Sequence, residues 1–143
     1  MALKQSDRLL QATWEGDSAS VAEILDETHT ENTSILTYND ENSLSCVIAL
    51  SYYNAMKDYT RIREFPSGKG FADIVYLPKR NSEKPAMVIE LKCDHSAAGA
   101  IEQIKDRHYV DSLKEYSGNL LLVGINYDKK TKKHTCVIEK MQK

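Results

Sequence analysis

The chain has 143 residues, 19 basic and 21 acidic side chains and a formal net charge of −2, enough for one domain with a proper core. No apolar run approaches the length of a membrane span, and the N-terminus lacks a signal-peptide pattern, so a membrane partner is not expected. Three cysteines, Cys46, Cys93 and Cys136, are scattered, odd in number and set in apolar surroundings, which fits free buried thiols in a reducing cytoplasm best.

In chain order, Leu3 to Trp14 reads as a helix with Leu9, Leu10 and Trp14 on one side. Gly16-Asp17-Ser18 interrupts it, and Asp17 is a natural N-cap for a second helix through Val21, Ile24 and Leu25. Thr28 to Thr33 is polar and reads as a linker. Two small helices bury little surface alone, so this piece either packs on the rest or belongs with an upstream domain. Residues 1–45 carry two basic and nine acidic side chains, whereas residues 46–143 carry seventeen and twelve. The larger part is therefore mildly basic, as suits a phosphate-backbone ligand.

A longer helix is expected from Glu41 to Met56, capped by Asn39 or Asp40, with Leu44, Val47, Ile48, Tyr52 and Ala55 as its apolar stripe. Glu41 begins that same face, where the helix N-terminus favours an acid. Strands follow at Tyr59–Phe65, Phe71–Leu77 and Ala86–Cys93, with short turns that fit an antiparallel meander. A helix bearing Ala97, Ala100, Ile101, Ile104 and His108 is expected to resume after a break towards Tyr116 and to end at Gly118. Asn119 to Ile125 reads as a fully buried strand. Lys133 to Met141 reads as a last strand with Cys136 and Ile138 alternating inward. The order αβββαβ plus one strand makes an α/β fold with a mixed central sheet flanked by helices.

The informative residues are charges inside apolar strands. Asp73 lies in Gly70-Phe71-Ala72-Asp73-Ile74-Val75-Tyr76, and Glu90 and Lys92 lie in Met87-Val88-Ile89-Glu90-Leu91-Lys92-Cys93. Charge in such a run is costly to bury unless it is paired or binds a metal. Residues two apart on a strand share a face roughly 7 Å apart, so Glu90 and Lys92 emerge together. An acid on the adjacent strand can then join Glu90 in holding a divalent cation, with hard oxygens suiting Mg²⁺ or Mn²⁺. The competing reading is a Glu90–Lys92 salt bridge on an exposed strand face, with Asp73 capping a turn. Arg61, Arg63 and Lys69, just before the Asp73 strand, are placed to meet a phosphate backbone. Lys129, Lys130, Lys132 and Lys133 solubilise a hairpin turn at least as readily as they bind one. No second Cys or His pair at zinc spacing accompanies Cys93-Asp94-His95.

Gly70-Phe71-Ala72-Asp73, the Val88-Ile89-Glu90-Leu91-Lys92 strand and the helix at Ala100-Ile101-Glu102-Gln103-Ile104 together resemble the PD-(D/E)xK nuclease superfamily. Within it they are most similar to nuclease domains at the C-terminal end of bacterial and archaeal AAA-ATPase-like proteins. The superfamily's leading Pro is replaced by Ala72. The resemblance implies a nuclease-like domain over residues 38–143, with residues 1–37 a helical segment and linker from an upstream ATPase-like domain. The chain itself has no Gly-x-x-x-x-Gly-Lys-(Ser/Thr) nucleotide loop. The resemblance further implies hydrolysis of phosphodiester bonds, DNA being the expected polymer, by a Mg²⁺- or Mn²⁺-dependent enzyme. Asp73, Glu90 and the Leu91 carbonyl would be metal ligands, and Glu41 a further acid at the metal. Lys92 would orient or deprotonate water and stabilise charge, and Gln103 would line the site. A homodimer would be needed to cut both strands with one site per subunit. The alternative is an inactive nuclease-like module that binds nucleic acid or protein. A regulatory domain that never touches nucleic acid would leave the strand charges unexplained.

Overall fold

Among the described residues, short apolar runs separated by turn residues fold into five strands, and the longer stretches with helical spacing become helices that cover them. The computed structural model describes residues 2–31, 52–63, 74–79, 84–106, 120–128 and 130–141. Its elements are α1 (Ala2–Glu15), α2 (Ser18–Glu31), a 3₁₀ turn (Tyr53–Lys57), β1 (Tyr59–Arg63), β2 (Ile74–Pro78), β3 (Ala86–Cys93), α3 (Ala97–Asp106), β4 (Leu120–Asp128) and β5 (Lys133–Met141). The sheet order is β1-β2-β3-β4-β5. β1, β2 and β3 form the expected antiparallel meander, β3 and β4 run parallel, and β5 returns antiparallel to β4. A parallel pair needs a crossover, and α3 lies in it.

Strand alternation divides the core between the two sheet faces. On one, Ile74, Tyr76, Met87, Ile89, Leu91, Leu121, Val123, Ile125 and Tyr127 pack against Leu9, Leu10, Val21, Ile24 and Leu25 of α1 and α2. On the other, Val75, Ala86, Val88, Leu120 and Leu122 pack against Ile101 and Ile104 of α3. The two N-terminal helices thus share a core with the sheet.

Asp17 caps α2 as its position requires. Its Oδ1 accepts from the Ser20 main-chain N–H at 3.2 Å and its Oδ2 from the Ser20 hydroxyl at 2.7 Å. Gly16 makes the preceding turn with φ 76°, a conformation glycine adopts without a Cβ penalty. The Ser20 bonds hold the Asp17 carboxyl below its ordinary value of 3.8. A depressed folded-state pKa gives stability that is present above the unfolded value and lost as pH falls through the folded one. Asp17→Ala should therefore lower the melting temperature at pH 7. Below pH 3 the gap between this variant and wild type should narrow, and equal melting at pH 7 would remove the cap from the account.

Thr28 to Thr33 was expected to be a linker, but α2 continues to Glu31. The buried Thr28 hydroxyl donates to the Ile24 carbonyl at 3.0 Å, which satisfies a polar side chain inside the helix. Of the helix expected over Glu41 to Met56, residues 41–51 lie outside the described residues. Residues 53–57 form a 3₁₀ turn that still buries Tyr52 and Ala55 against the sheet. The helix beyond Asp106, with His108, Tyr116 and Gly118, also lies outside the described residues.

Hydroxyls tie the N-terminal helices down. Thr13 donates to the Leu9 carbonyl at 2.7 Å, so the Tyr52 hydroxyl donates to Thr13 at 2.9 Å. Tyr59 accepts from Trp14 Nε1 at 2.9 Å and donates to the Pro85 carbonyl at 2.6 Å. Burial pushes the Tyr59 phenol up to about 12, which keeps it a neutral donor. Across α2, Asp26 Oδ1 accepts from the His134 main-chain N–H at 2.8 Å and from its Nδ1 at 2.7 Å. A carboxylate only accepts, so Nδ1 carries the proton and His134 is a structural tie between α2 and β5.

Candidate functional site

Glu90 occupies the middle of β3 and is wholly buried. Its phase with Val88 places it on the α3 face, and Lys92, half-buried, shares that face two residues on. The exposed salt-bridge reading fails on this point, because the Glu90 side chain has no solvent exposure. Glu90 makes contacts of its own from this buried position.

Register shows what surrounds it. Glu90 pairs with Gly124 of β4, and Gly124 with Val137 of β5. One step along the same face, Lys92 pairs with Asn126, and Asn126 with Thr135. A further step pairs Asp128 with Lys133. On β3 and β4 the face is apolar below Glu90, at Ala86, Val88, Leu120 and Leu122, and polar beyond it. Glu90 marks the switch.

The first turn of α3 seals the apolar side. A Cβ on Gly124 would lie 2.4 Å from the Ala97 carbonyl oxygen, 2.9 Å from Ile101 Cγ1 and 3.1 Å from Ala100 Cβ. Glycine is required by this approach of helix to strand. Ser96 caps the helix, its hydroxyl accepting from the Gly99 N–H at 2.9 Å. The first turn of α3 therefore lies over β4, one strand from Glu90.

The connection from β3 to α3 is fastened to β4. The Asp94 N–H donates to the Tyr127 carbonyl at 2.8 Å, and the His95 N–H donates to Asn126 Oδ1 at 2.9 Å. Asp94 has φ 58°, a left-handed conformation uncommon outside glycine but tolerated by Asp. Asn126 is buried and holds the turn that follows Lys92. Sequence reading missed it by ending the strand at Ile125. Its signal was a polar residue in phase with the polar members of a neighbouring strand.

Leu91, between Glu90 and Lys92, points its side chain to the opposite core, and its main chain runs in the β3–β4 ladder opposite Ile125. Arg61 is exposed on β1 and pairs with Tyr76, so it lies on the α1 and α2 face, across the sheet from Glu90. Burial pushes the Tyr76 phenol up to about 12, and the Arg61 charge opposes that shift. Arg63 and Gln103 fall in β1 and α3 by their main chains. Their side chains, and the whole of Glu41, Asp73 and Lys69, lie outside the described residues. Among the described residues no three His, Cys, Asp or Glu side chains come together to hold a metal. Nor is any helix among them long and apolar enough to cross a membrane.

The family model for the PD-(D/E)XK nuclease superfamily matches residues 39–136. This chain belongs to that superfamily. No curated protein matches the chain significantly. The superfamily match spans all five strands up to Cys136 of β5, and it includes Glu90, Lys92 and the α3 crossover. It leaves out α1 and α2, although these helices pack on the sheet of the PD-(D/E)XK domain.

Proposed function

We propose that this PD-(D/E)XK domain engages nucleic acid on the Glu90–Lys92 face. The observation that carries the reading is a wholly buried carboxylate in the centre of β3, with a lysine two residues on and polar sheet beyond. Two versions share it. A nuclease-like module that binds without cutting needs nothing beyond the described residues, and is the version they support better. A nuclease hydrolysing phosphodiester bonds, with DNA its expected polymer, needs Asp73 in addition.

Ile74, the first described residue of β2, pairs with Ile89. Asp73 precedes Ile74 in the chain and is the second acid that the resemblance assigns to the site. A wholly buried carboxylate at the centre of a strand suits a hard cation. Asp73, Glu90 and the Leu91 carbonyl would hold Mg²⁺ or Mn²⁺, with Glu41 and Gln103 nearby as the resemblance implies. Such a cation polarises a phosphoryl oxygen and lowers the pKa of water. Lys92 contributes a positive charge at the mouth of the site, where it attracts a phosphate and stabilises charge developing on it. Asn126 keeps the turn after Lys92 in place. Linkage to an upstream ATPase-like domain, with residues 1–37 as its connecting segment, belongs to this proposal on the resemblance alone.

The test is a screen of single-stranded, duplex and branched DNA and RNA, scored for binding and for cleavage with Mg²⁺, Mn²⁺ or chelator. Binding is expected in every version, and metal-dependent cleavage identifies the nuclease. Binding without cleavage identifies the module. A chain that binds none of these polymers would overturn the proposal.

A further inference from the structure

The polar end of the Glu90 face continues into the turn between β4 and β5. Asp128 Oδ1 accepts from the main-chain N–H groups of Lys130 at 2.8 Å and Thr131 at 3.3 Å. The Lys132 N–H donates to the Asp128 carbonyl at 2.8 Å. This side chain and main chain fasten the turn, so its lysines sit on a fixed base. Lys130, Lys132 and Lys133 are exposed.

Because β3 and β4 are parallel, this turn lies at the same end of the sheet as Lys92 and the Asp94 turn. Lys133 shares a face with Glu90, four residues along β4 from Glu90's partner Gly124 to Lys133's partner Asp128. At strand rise that is roughly 13 Å. Between them lie Lys92, Asn126 and Thr135, all hydrogen-bonding or charged side chains.

A second observation concerns the backbone. Asp94 and Lys132, with φ 58° and 59°, are the described non-glycine residues of positive φ, and both stand at this end. Lysine is a poor choice for a left-handed position that glycine or asparagine fills without strain. Strained residues of this sort cluster at functional sites. The side chain at Lys132 brings an exposed cation.

We propose that Lys92, Lys133 and the turn lysines Lys130 and Lys132 form a track for the phosphate backbone of a nucleic acid leading to Glu90. This rests on the nucleic-acid reading above and assigns the residues that would hold the polymer outside the site. Asp94 and Asp128 stand at the same end, and the engagement of Asp128 with the turn's own N–H groups leaves the lysines as its outward charges. Phosphate contacts of this kind position a strand without reading its sequence.

The test uses the full chain and fluorescein-labelled single-stranded and duplex DNA in chelator, with anisotropy measured across a salt series. Each phosphate neutralised contributes about 0.9 to the slope of log K against log salt on duplex DNA. Lys130→Ala with Lys133→Ala should lower that slope by roughly 1.8, and weaken binding by about tenfold at low salt. Lys132→Gly should lower it by roughly 0.9 while melting no earlier than wild type, because glycine relieves the left-handed backbone. A merely structural lysine would change melting and leave the slope alone. Lys57→Ala, exposed beyond the opposite end of the sheet, is the control and should bind as wild type. Turn variants that bind as tightly as wild type, with unchanged slope, would overturn the track and leave the screen above intact. A wild type that binds neither DNA would overturn the track, the nucleic-acid reading falling only if branched DNA and RNA also go unbound in the screen. A turn that instead captures an acidic protein would overturn the track as well.

Discussion

Gly124→Ala is expected to be among the most damaging single-methyl additions in the chain. Its Cβ would fall 2.4 Å from the Ala97 carbonyl oxygen, which belongs to a backbone and cannot swing aside as a side-chain tip can. Ile101 Cγ1 and Ala100 Cβ close the remaining directions at 2.9 and 3.1 Å. Relief requires lifting the first turn of α3, and with it the Ile101 and Ile104 contacts that fill that face. Overpacking that moves backbone costs about 3 kcal/mol. For a chain of this size that is a fall in melting temperature on the order of 10 °C. The damage should also spread to the site, because the same turn shields the row in which Glu90 lies. Thermal melting followed by far-ultraviolet circular dichroism checks it, and a fall under about 2 °C would show the helix yielding freely.

How much of this was legible beforehand depended on whether a feature is local. β3 and β5 run over the residues their patterns suggest, Ala86–Cys93 and Lys133–Met141, because turn residues bracket both alternations. The burial of Leu9, Leu10, Val21, Ile24 and Leu25 followed from helical spacing. β4 was read too short. Asn126 and Tyr127 look like a strand's end until β5 pairs with them through Thr135 and His134. Likewise, alternation within β1 says which residues share a side but not which side of the sheet it is. Only the pairing of Arg61 with Tyr76 sets Arg61 on the face away from Glu90. Gly124 was unreadable for the same reason, since its need for glycine comes from a helix whose approach no strand pattern reveals. Glu90 and Lys92 were legible because charge inside an apolar strand is an anomaly in the chain itself. The placement of Asp73 and Glu41 lies outside the described residues.

Glu90→Gln and Lys92→Ala should separate along two measurements, and the contrast distinguishes ligand from catalyst. In protein stripped of metal, millimolar Mn²⁺ should raise the melting temperature by mass action, with about 2.7 kcal/mol gained at a hundredfold excess over Kd. Glu90→Gln removes the charged oxygen from the centre of β3 and should abolish that gain, together with any cleavage. Lys92→Ala removes a nearby cation rather than a ligand, so the Mn²⁺ gain should persist or grow slightly. If the wild type cleaves, the same lysine variant should lose at least about a hundredfold in rate, the scale for losing a transition-state charge stabiliser or acid–base group. Lys92→Arg should restore the charge but not the full rate, because a guanidinium stays protonated and cannot take a proton from water. An Mn²⁺ response that survives Glu90→Gln would move the cation elsewhere. A wild type that melts identically with and without Mn²⁺ would leave the binding module as the function of this face. A cleaving wild type matched in rate by Lys92→Ala would make the lysine a backbone-phosphate contact and nothing more.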